Sequence, residues 1–247
     1  MRYRLVEVFE ARAGSVRTIV LPGGPFEARV ADELIDAAES WREDRDVRVV
    51  VLRSQPGTDF CAGPAAGLVP ERFPIDPAAA LARLRAPVIA AIGGRCESVG
   101  FEVALTADIR LAAPDAVFAL SDVVERSRLP CWGGTQRLPR AVGTSAATAM
   151  LLTARRLDAP AALARGLVAS VDADLDAAVE ATVQLLLGVG PLAAELAKEA
   201  IVRGSELPLR DGLRLEGDLN HLLQVTDDRA EGLAAFFAKR PPDFAGR

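Results

Sequence analysis

Two continuous apolar runs, VRVVVLRS at 47–54 and PVIAAIGG at 87–94, constrain the fold more than any other feature of the chain. Neither alternates apolar with polar residues, so neither suits a sheet with one wet face. Such runs belong to strands buried on both faces, as in parallel sheets covered by helices. Between the breaker run Pro22-Gly23-Gly24-Pro25 and the first of them, Val30, Leu34, Ala38 and Trp41 recur at helical spacing. This predicts an amphipathic helix over 27–43 with Trp41 on its core stripe. Strand, helix and strand in alternation predict an α/β layer with parallel pairing and functional residues at the carboxyl ends of strands. Upstream, the β-rich segments 3–9 and 15–21 flank a turn containing Ala13-Gly14 and read as a hairpin.

The second half reads as successive helices over 145–153, 159–165, 174–188, 191–203, 207–223 and 229–238, with Pro191 in a first helical turn and Gly166 and Gly204 as stops. An α/β core over 1–190 and a helical segment over 191–247, together one structural domain, is the expected organisation. A chain of 247 residues, half of them hydrophobic, buries one substantial core on folding. Its formal charge of −5 has interspersed signs, which argues against a nucleic-acid partner or an anionic membrane surface and favours small-molecule chemistry. Glu7 and Glu10 interrupt the N-terminal apolar residues, and no stretch approaches the ~18 apolar residues of a membrane span. A cytoplasmic location is the expectation. Cys61, Cys96 and Cys131 lack metal-ligand spacing, so no metal site and no disulfide framework is expected, and each reads as a packing residue. His221, the only histidine, has no triad partner in view and reads as a packed or surface residue.

Chemistry is written in three separated segments: FCAG at 60–63, SVGFEVALTADIRLA at 98–112 and GGTQRLPRAVG at 133–143. In the second, a turn ends at Val99-Gly100 and a helix carrying Glu102 follows; free N–H groups and partial positive charge at such a helix start suit an anionic oxygen. With RLDAPAALARGLV at 156–168 and AAFFAKRPPDF at 234–244, these segments resemble the crotonase superfamily (enoyl-CoA hydratase/isomerase family) over about residues 45–244. The resemblance implies a crotonase-like α/β fold of repeated ββα units with a C-terminal helical trimerisation region. It further implies a homotrimer or homohexamer, and an acyl-CoA substrate whose thioester enolate is stabilised. No cofactor is expected to be permanently bound, coenzyme A being part of the substrate.

Residue by residue, the resemblance places Glu102 as the main acid/base and Asp122, from ALSDV, as the second carboxylate. Counting back from Gly133-Gly134 lands instead on Val123, and Glu125 is the reserve candidate. The oxyanion hole falls to the N–H of Val99 and to Pro64, which cannot donate. The two extra residues of FCAGPAAGL leave Ala65, Ala66 or Leu68 as relocated donors. Ala62 and Gly63 are the implied backbone contacts to CoA, and Phe236 and Lys239 the aromatic and basic contacts from a neighbouring subunit. Trp132 and Gly100 line the implied acyl pocket, with Trp132 as a simple turn plug the alternative. The segment Pro70–Ala86 is short for the family, and Arg29 is the only basic residue near the first helix. Three functions stay open: an enoyl-CoA hydratase/isomerase-type enzyme, a catalytically silent acyl-CoA-binding homologue, or a hydrolase or decarboxylase on the same fold.

Overall fold

The computed structural model describes residues 4–11 and 14–247. Strands β1 (Glu7–Ala11) and β2 (Val16–Leu21) pair antiparallel. The first strand thus begins later than its apolar composition suggested, and Tyr3 and Ala13, on which the expected strand and turn partly rest, lie outside the described residues. Helix α1 (Ala28–Trp41) buries the expected stripe of Val30, Leu34, Ala38 and Trp41.

Three successive units then repeat one pattern: a strand for a large sheet, a strand for a small sheet, then a helix. They are β3 (Val49–Ser54), β4 (Cys61–Ala62) and α2 (Pro77–Ala82); β5 (Val88–Ile92), β6 (Arg95–Glu97) and α3 (Ser98–Ala104); β7 (Ile109–Ala112), β8 (Val117–Ala119) and α4 (Asp122–Arg126). Next come α5 (Gly134–Val142), α6 (Thr144–Thr153), β9 (Leu157–Asp158), α7 (Ala159–Ala164), β10 (Ser170–Val171) and α8 (Leu175–Leu187). The chain closes with α9 (Pro191–Gly204), α10 (Leu209–Gln224) and α11 (Asp227–Ala238). The large sheet runs β1-β2-β3-β5-β7-β10 and the small one β4-β6-β8-β9. All pairings from β2 to β10 in the large sheet are parallel, as are β4 with β6 and β6 with β8.

Burial explains the unbroken apolar runs. Val50 and Leu52 of β3, with Val88, Ala90 and Ile92 of β5, face the main core beneath α1, α2 and α3. Their neighbours Val49, Val51, Ile89 and Ala91 face the other way, onto Val179 and Val183 of α8. A strand covered on both sides has no position at which a polar residue goes unpenalised. At the other extreme, α9 to α11 expose large apolar side chains in the single chain, Ile201, Leu209, Val225, Phe236 and Phe237 each being more than 70% exposed. Helix α9 is tied to the core by Lys198, which reaches Asp108 at 2.8 Å and the Ala86 carbonyl at 3.0 Å. Cys61 and Cys96 are buried packing residues, matched across β4 and β6, whereas Cys131, read as packing, is exposed because it sits on the turn ahead of α5. His221 is a surface residue in the last turn of α10.

Candidate active site

The three parallel strands of the small sheet end side by side, β4 in FCAG, β6 ahead of SVGFE and β8 in ALSDV. The register pairs Ala62 with Glu97 and Glu97 with Ala119, so Gly63, Ser98 and Leu120 are the first residues beyond their strands. The carboxyl edge of parallel strands is where α/β proteins build sites. Here it gathers Gly63-Pro64, Ser98-Val99 and Ser121-Asp122.

The close approach of the first two depends on Gly100. A Cβ at that position would overlap Cβ and Sγ of Cys61, so only glycine lets the first turn of α3 seat against β4. Ser98 makes the turn into the helix with φ of +52°, a left-handed conformation uncommon for a residue other than glycine. It leaves Val99, which is 1% exposed, with an N–H that has no acceptor among the described residues, as expected of a helix's first turn.

Glu102, one turn further along α3, is also 1% exposed. Its Oε1 accepts N–H bonds from Trp132 and Gly134, both at 2.8 Å. The Gly133-Gly134 pair makes this cradle possible. Gly133 has φ of +97°, and a Cβ on Gly134 would stand 3.1 Å from Cγ of Glu102 and 2.8 Å from Leu120. Arg137 secures the turn by donating to the Trp132 carbonyl at 2.7 Å. Burial pushes the Glu102 carboxyl up to about 7; the two amide bonds oppose the rise, and the charges of Asp122 and Asp76 add to it. A carboxyl that titrates near neutrality both takes and returns protons there.

Asp122, equally buried, is held by side chains. Oδ1 accepts from Ser98 Oγ at 2.6 Å and from Arg128 Nη2 at 3.1 Å, with Arg126 Nη1 at 3.8 Å. Oδ2 is buried without a partner among the described residues. Val123, two-way in the residue count, is only partly buried, and Glu125 is exposed and paired with Arg126 at 3.4 Å. Asp122 is thus the carboxylate at the strand ends. Helix α4 ends at Ser127 in a left-handed conformation, φ +50°.

The loop after β4 corrects one expectation. Residues 24–26 run alongside 62–65, with Phe26 N–H donating to the Gly63 carbonyl at 2.7 Å and Ala65 N–H to the Phe26 carbonyl at 2.9 Å. The N–H of Ala65 is therefore already engaged and is not a relocated oxyanion donor. That of Leu68 is engaged too, by the Ala65 carbonyl at 3.1 Å, and Ala66 is exposed. In this parallel bridge Phe26 pairs with Pro64, whose nitrogen lies on the side away from Phe26, where a proline breaks no ladder bond. Ala62 N–H is likewise used, donating to the Gly24 carbonyl at 2.8 Å.

Trp132 is 1% exposed, edge-on to Phe26 and Phe73, and donates from Nε1 to the Pro70 carbonyl at 3.1 Å. It pins the short loop ahead of α2 over the site and plugs the turn. Arg29 is ion-paired with Glu33 at 3.1 Å. Phe236 and Lys239 lie at the exposed end of α11; Phe236 packs edge-on against Phe237, and the Lys239 side chain makes no hydrogen bond or ion pair among the described residues. No group of three His, Cys, Asp or Glu side chains suited to a metal is found among the described residues. Cavities of about 400 Å3 between α2 and α9, and of about 420 Å3 at the carboxyl end of the large sheet, lie elsewhere. Their charged linings include internal pairs such as Arg85–Glu195 and Arg53–Asp176.

Ser98, Arg126 and Arg128 were not singled out in the sequence. Their roles depend on α4 folding back over the strand ends. The signal available in the sequence was the pair of arginines a few residues after Asp122.

Comparison with known proteins identifies the family. The profile of the family described as enoyl-CoA hydratase/isomerase matches residues 22–247. Human enoyl-CoA hydratase domain-containing protein 2, mitochondrial, is 38% identical over 231 residues, covering 87% of this chain and 79% of its own length. Human methylglutaconyl-CoA hydratase, mitochondrial, is 37% identical over 232 residues, covering 86% of this chain and 67% of its own. The crystal structure of an enoyl-CoA hydratase from Bacillus anthracis superposes with a TM-score of 0.91 at 32% identity, over 99% of this chain and all of that one. On these grounds the chain is a member of the enoyl-CoA hydratase/isomerase family and of the crotonase superfamily to which that family belongs.

Proposed function

We propose that this protein hydrates or isomerises an enoyl-CoA thioester, with Glu102 as its principal acid/base. The observation that carries the reading is the corner around Glu102: a buried carboxyl at about 7, fixed by two amides, one helical turn from the free Val99 N–H. In hydration the thioester oxygen takes up negative charge at Val99 N–H. Glu102 removes a proton from water as the water oxygen bonds to C3, then returns a proton to C2, so that one water is added overall. Asp122 contributes Oδ2 as an acceptor that orients the water. In isomerisation Glu102 alone moves the proton between carbons.

The reading extends to assembly. The exposed apolar residues of α9 to α11 become the contact surface of a homotrimer or homohexamer, and Phe236 and Lys239 reach the CoA of a neighbouring copy. Light scattering on the purified protein tests the first part, with a monomer contradicting it.

A second reading has its own support. With Pro64 lacking an N–H, those of Ala65 and Leu68 engaged, and Ala66 exposed in the loop beyond them, Val99 is the backbone donor left at the strand ends. Loss of one such donor costs about 2.7–4 kcal/mol of transition-state stabilisation. A protein that binds acyl-CoA without turning it over fits that deficit. Assay of enoyl-CoA esters of varied chain length decides. Turnover that drops about a thousandfold in Glu102→Gln supports the enzyme. Calorimetric binding with no product from any ester supports the binder, and product identity separates hydration from hydrolysis or decarboxylation.

A further inference from the structure

The missing donor at Pro64 has a neighbour that no backbone comparison would reveal. Nη2 of Arg126 lies 3.4 Å from the point where a Cβ on Gly63 would stand, which places a guanidinium against the turn that should have donated an N–H. The same guanidinium has Nη1 at 3.8 Å from Oδ1 of Asp122 and 3.4 Å from Glu125. Its route matters. Strands β4, β6 and β8 lie side by side in that order, and Arg126 is rooted in α4, beyond the end of β8. To stand beside both Asp122 and Gly63 it spans the carboxyl end of β6, where Ser98 and Val99 begin α3. A positive group therefore stands at the Gly63-Pro64 turn, on the strand edge that also carries the free Val99 N–H. Nη2 has no hydrogen-bond acceptor among the described residues, and the side chain is 35% exposed, so a ligand can reach it.

We propose that Arg126 is the second stabiliser of the thioester oxygen, its guanidinium replacing the backbone N–H that Pro64 lacks. The proposal rests on the acyl-CoA reading above and specifies how that site retains an oxyanion hole. Guanidinium is charged at every working pH, and its bond to an anionic oxygen is stronger than that of a neutral amide. The nearby carboxylates of Asp122 and Glu125 hold the group in place while balancing its charge.

The test combines Arg126→Gln, Pro64→Ala, the double variant and Glu102→Gln. Two readouts are used: turnover of an enoyl-CoA, and the infrared carbonyl stretch of bound butyryl-CoA labelled with 13C at the thioester carbon. In the wild type the bound carbonyl is shifted to lower frequency. Arg126→Gln is expected to reverse much of that shift and to lower kcat by about 10²–10³. Arg126→Lys, which retains charge without the planar fork, loses less. Adding Pro64→Ala to Arg126→Gln restores at least tenfold of the loss, because the backbone donor returns. An Arg126→Gln protein with unchanged kcat and carbonyl frequency, alongside an inactive Glu102→Gln, overturns the role of Arg126 and leaves the acyl-CoA reading standing. Failure of the wild type to bind butyryl-CoA, or full activity in Glu102→Gln, overturns both.

Discussion

The corners around Glu102 and Asp122 each bury a carboxylate to 1% exposure, yet they are built from different materials. Glu102 is held by main-chain amides of a turn whose shape is fixed by Gly133, Gly134 and Arg137. Asp122 is held by the side chains of Ser98, Arg126 and Arg128. Amides on a fixed turn position a group without neutralising it, so burial governs and the carboxyl is pushed up to about 7. Asp122 is instead fixed by a hydroxyl and by two side chains of opposite charge. The contrast teaches that two acidic residues at one strand edge can be equally buried yet sit in unlike surroundings, one fixed by backbone and the other by cations.

The largest effect that would break this comparison is a stabilised but inactive enzyme. The Glu102 carboxyl has a folded value of about 7, against an ordinary 4.5. Below pH 4.5 both folded and unfolded states hold the proton. As pH rises from there to 7 the unfolded state loses it first, so stability falls by about 1.4 kcal/mol per pH unit, reaching about 3 kcal/mol above pH 7. Glu102→Gln removes that penalty. Denaturation in urea is expected to show the variant more stable than wild type at pH 8 and nearly equal to it at pH 4, even as turnover collapses. A variant destabilised equally at both pH values would contradict the buried, raised carboxyl.

An intermediate effect comes from the turn itself. Gly134→Ala forces a Cβ to 2.8 Å from Leu120 and 3.1 Å from Cγ of Glu102. Such overpacking costs about 1–3 kcal/mol, and displacing Glu102 by about 1 Å lowers kcat on the order of a hundredfold. Thermal unfolding and steady-state assay read the two together; full activity would show that Glu102 needs no such cradle.

The smallest effect sharpens the other half. The charge of Asp122 contributes to raising Glu102, so Asp122→Asn is expected to move the Glu102 titration downward while reducing kcat about tenfold. A titration that moves upward, or a loss as large as that of Glu102→Gln, would make the two carboxylates equivalent.

How much of this was legible in the sequence follows from the same physics. The runs at 47–54 and 87–94 gave away β3 and β5 because a strand covered on both faces is apolar along its middle, and the helical stripe gave away α1. The small sheet was not legible: β4, β6 and β8 are two or three residues long, too short for any periodicity to show. Helix α4 was missed for a similar reason, with only five residues and an αL end at Ser127. Within the site, the motif register placed Glu102 on α3. Ala65 is no relocated donor because 24–26 pair with 62–65, a long-range backbone contact that no local pattern shows. Arg126 and Arg128 were invisible as site residues until α4 turned them toward Gly63 and Asp122.

The most direct test of the account is the pH dependence of kcat/KM for an enoyl-CoA substrate. It is expected to rise through an apparent value near the 7 of Glu102, with this limb absent from the residual activity of Glu102→Gln. A profile flat from pH 5 to 8, or a limb near 7 that persists in Glu102→Gln, would contradict it.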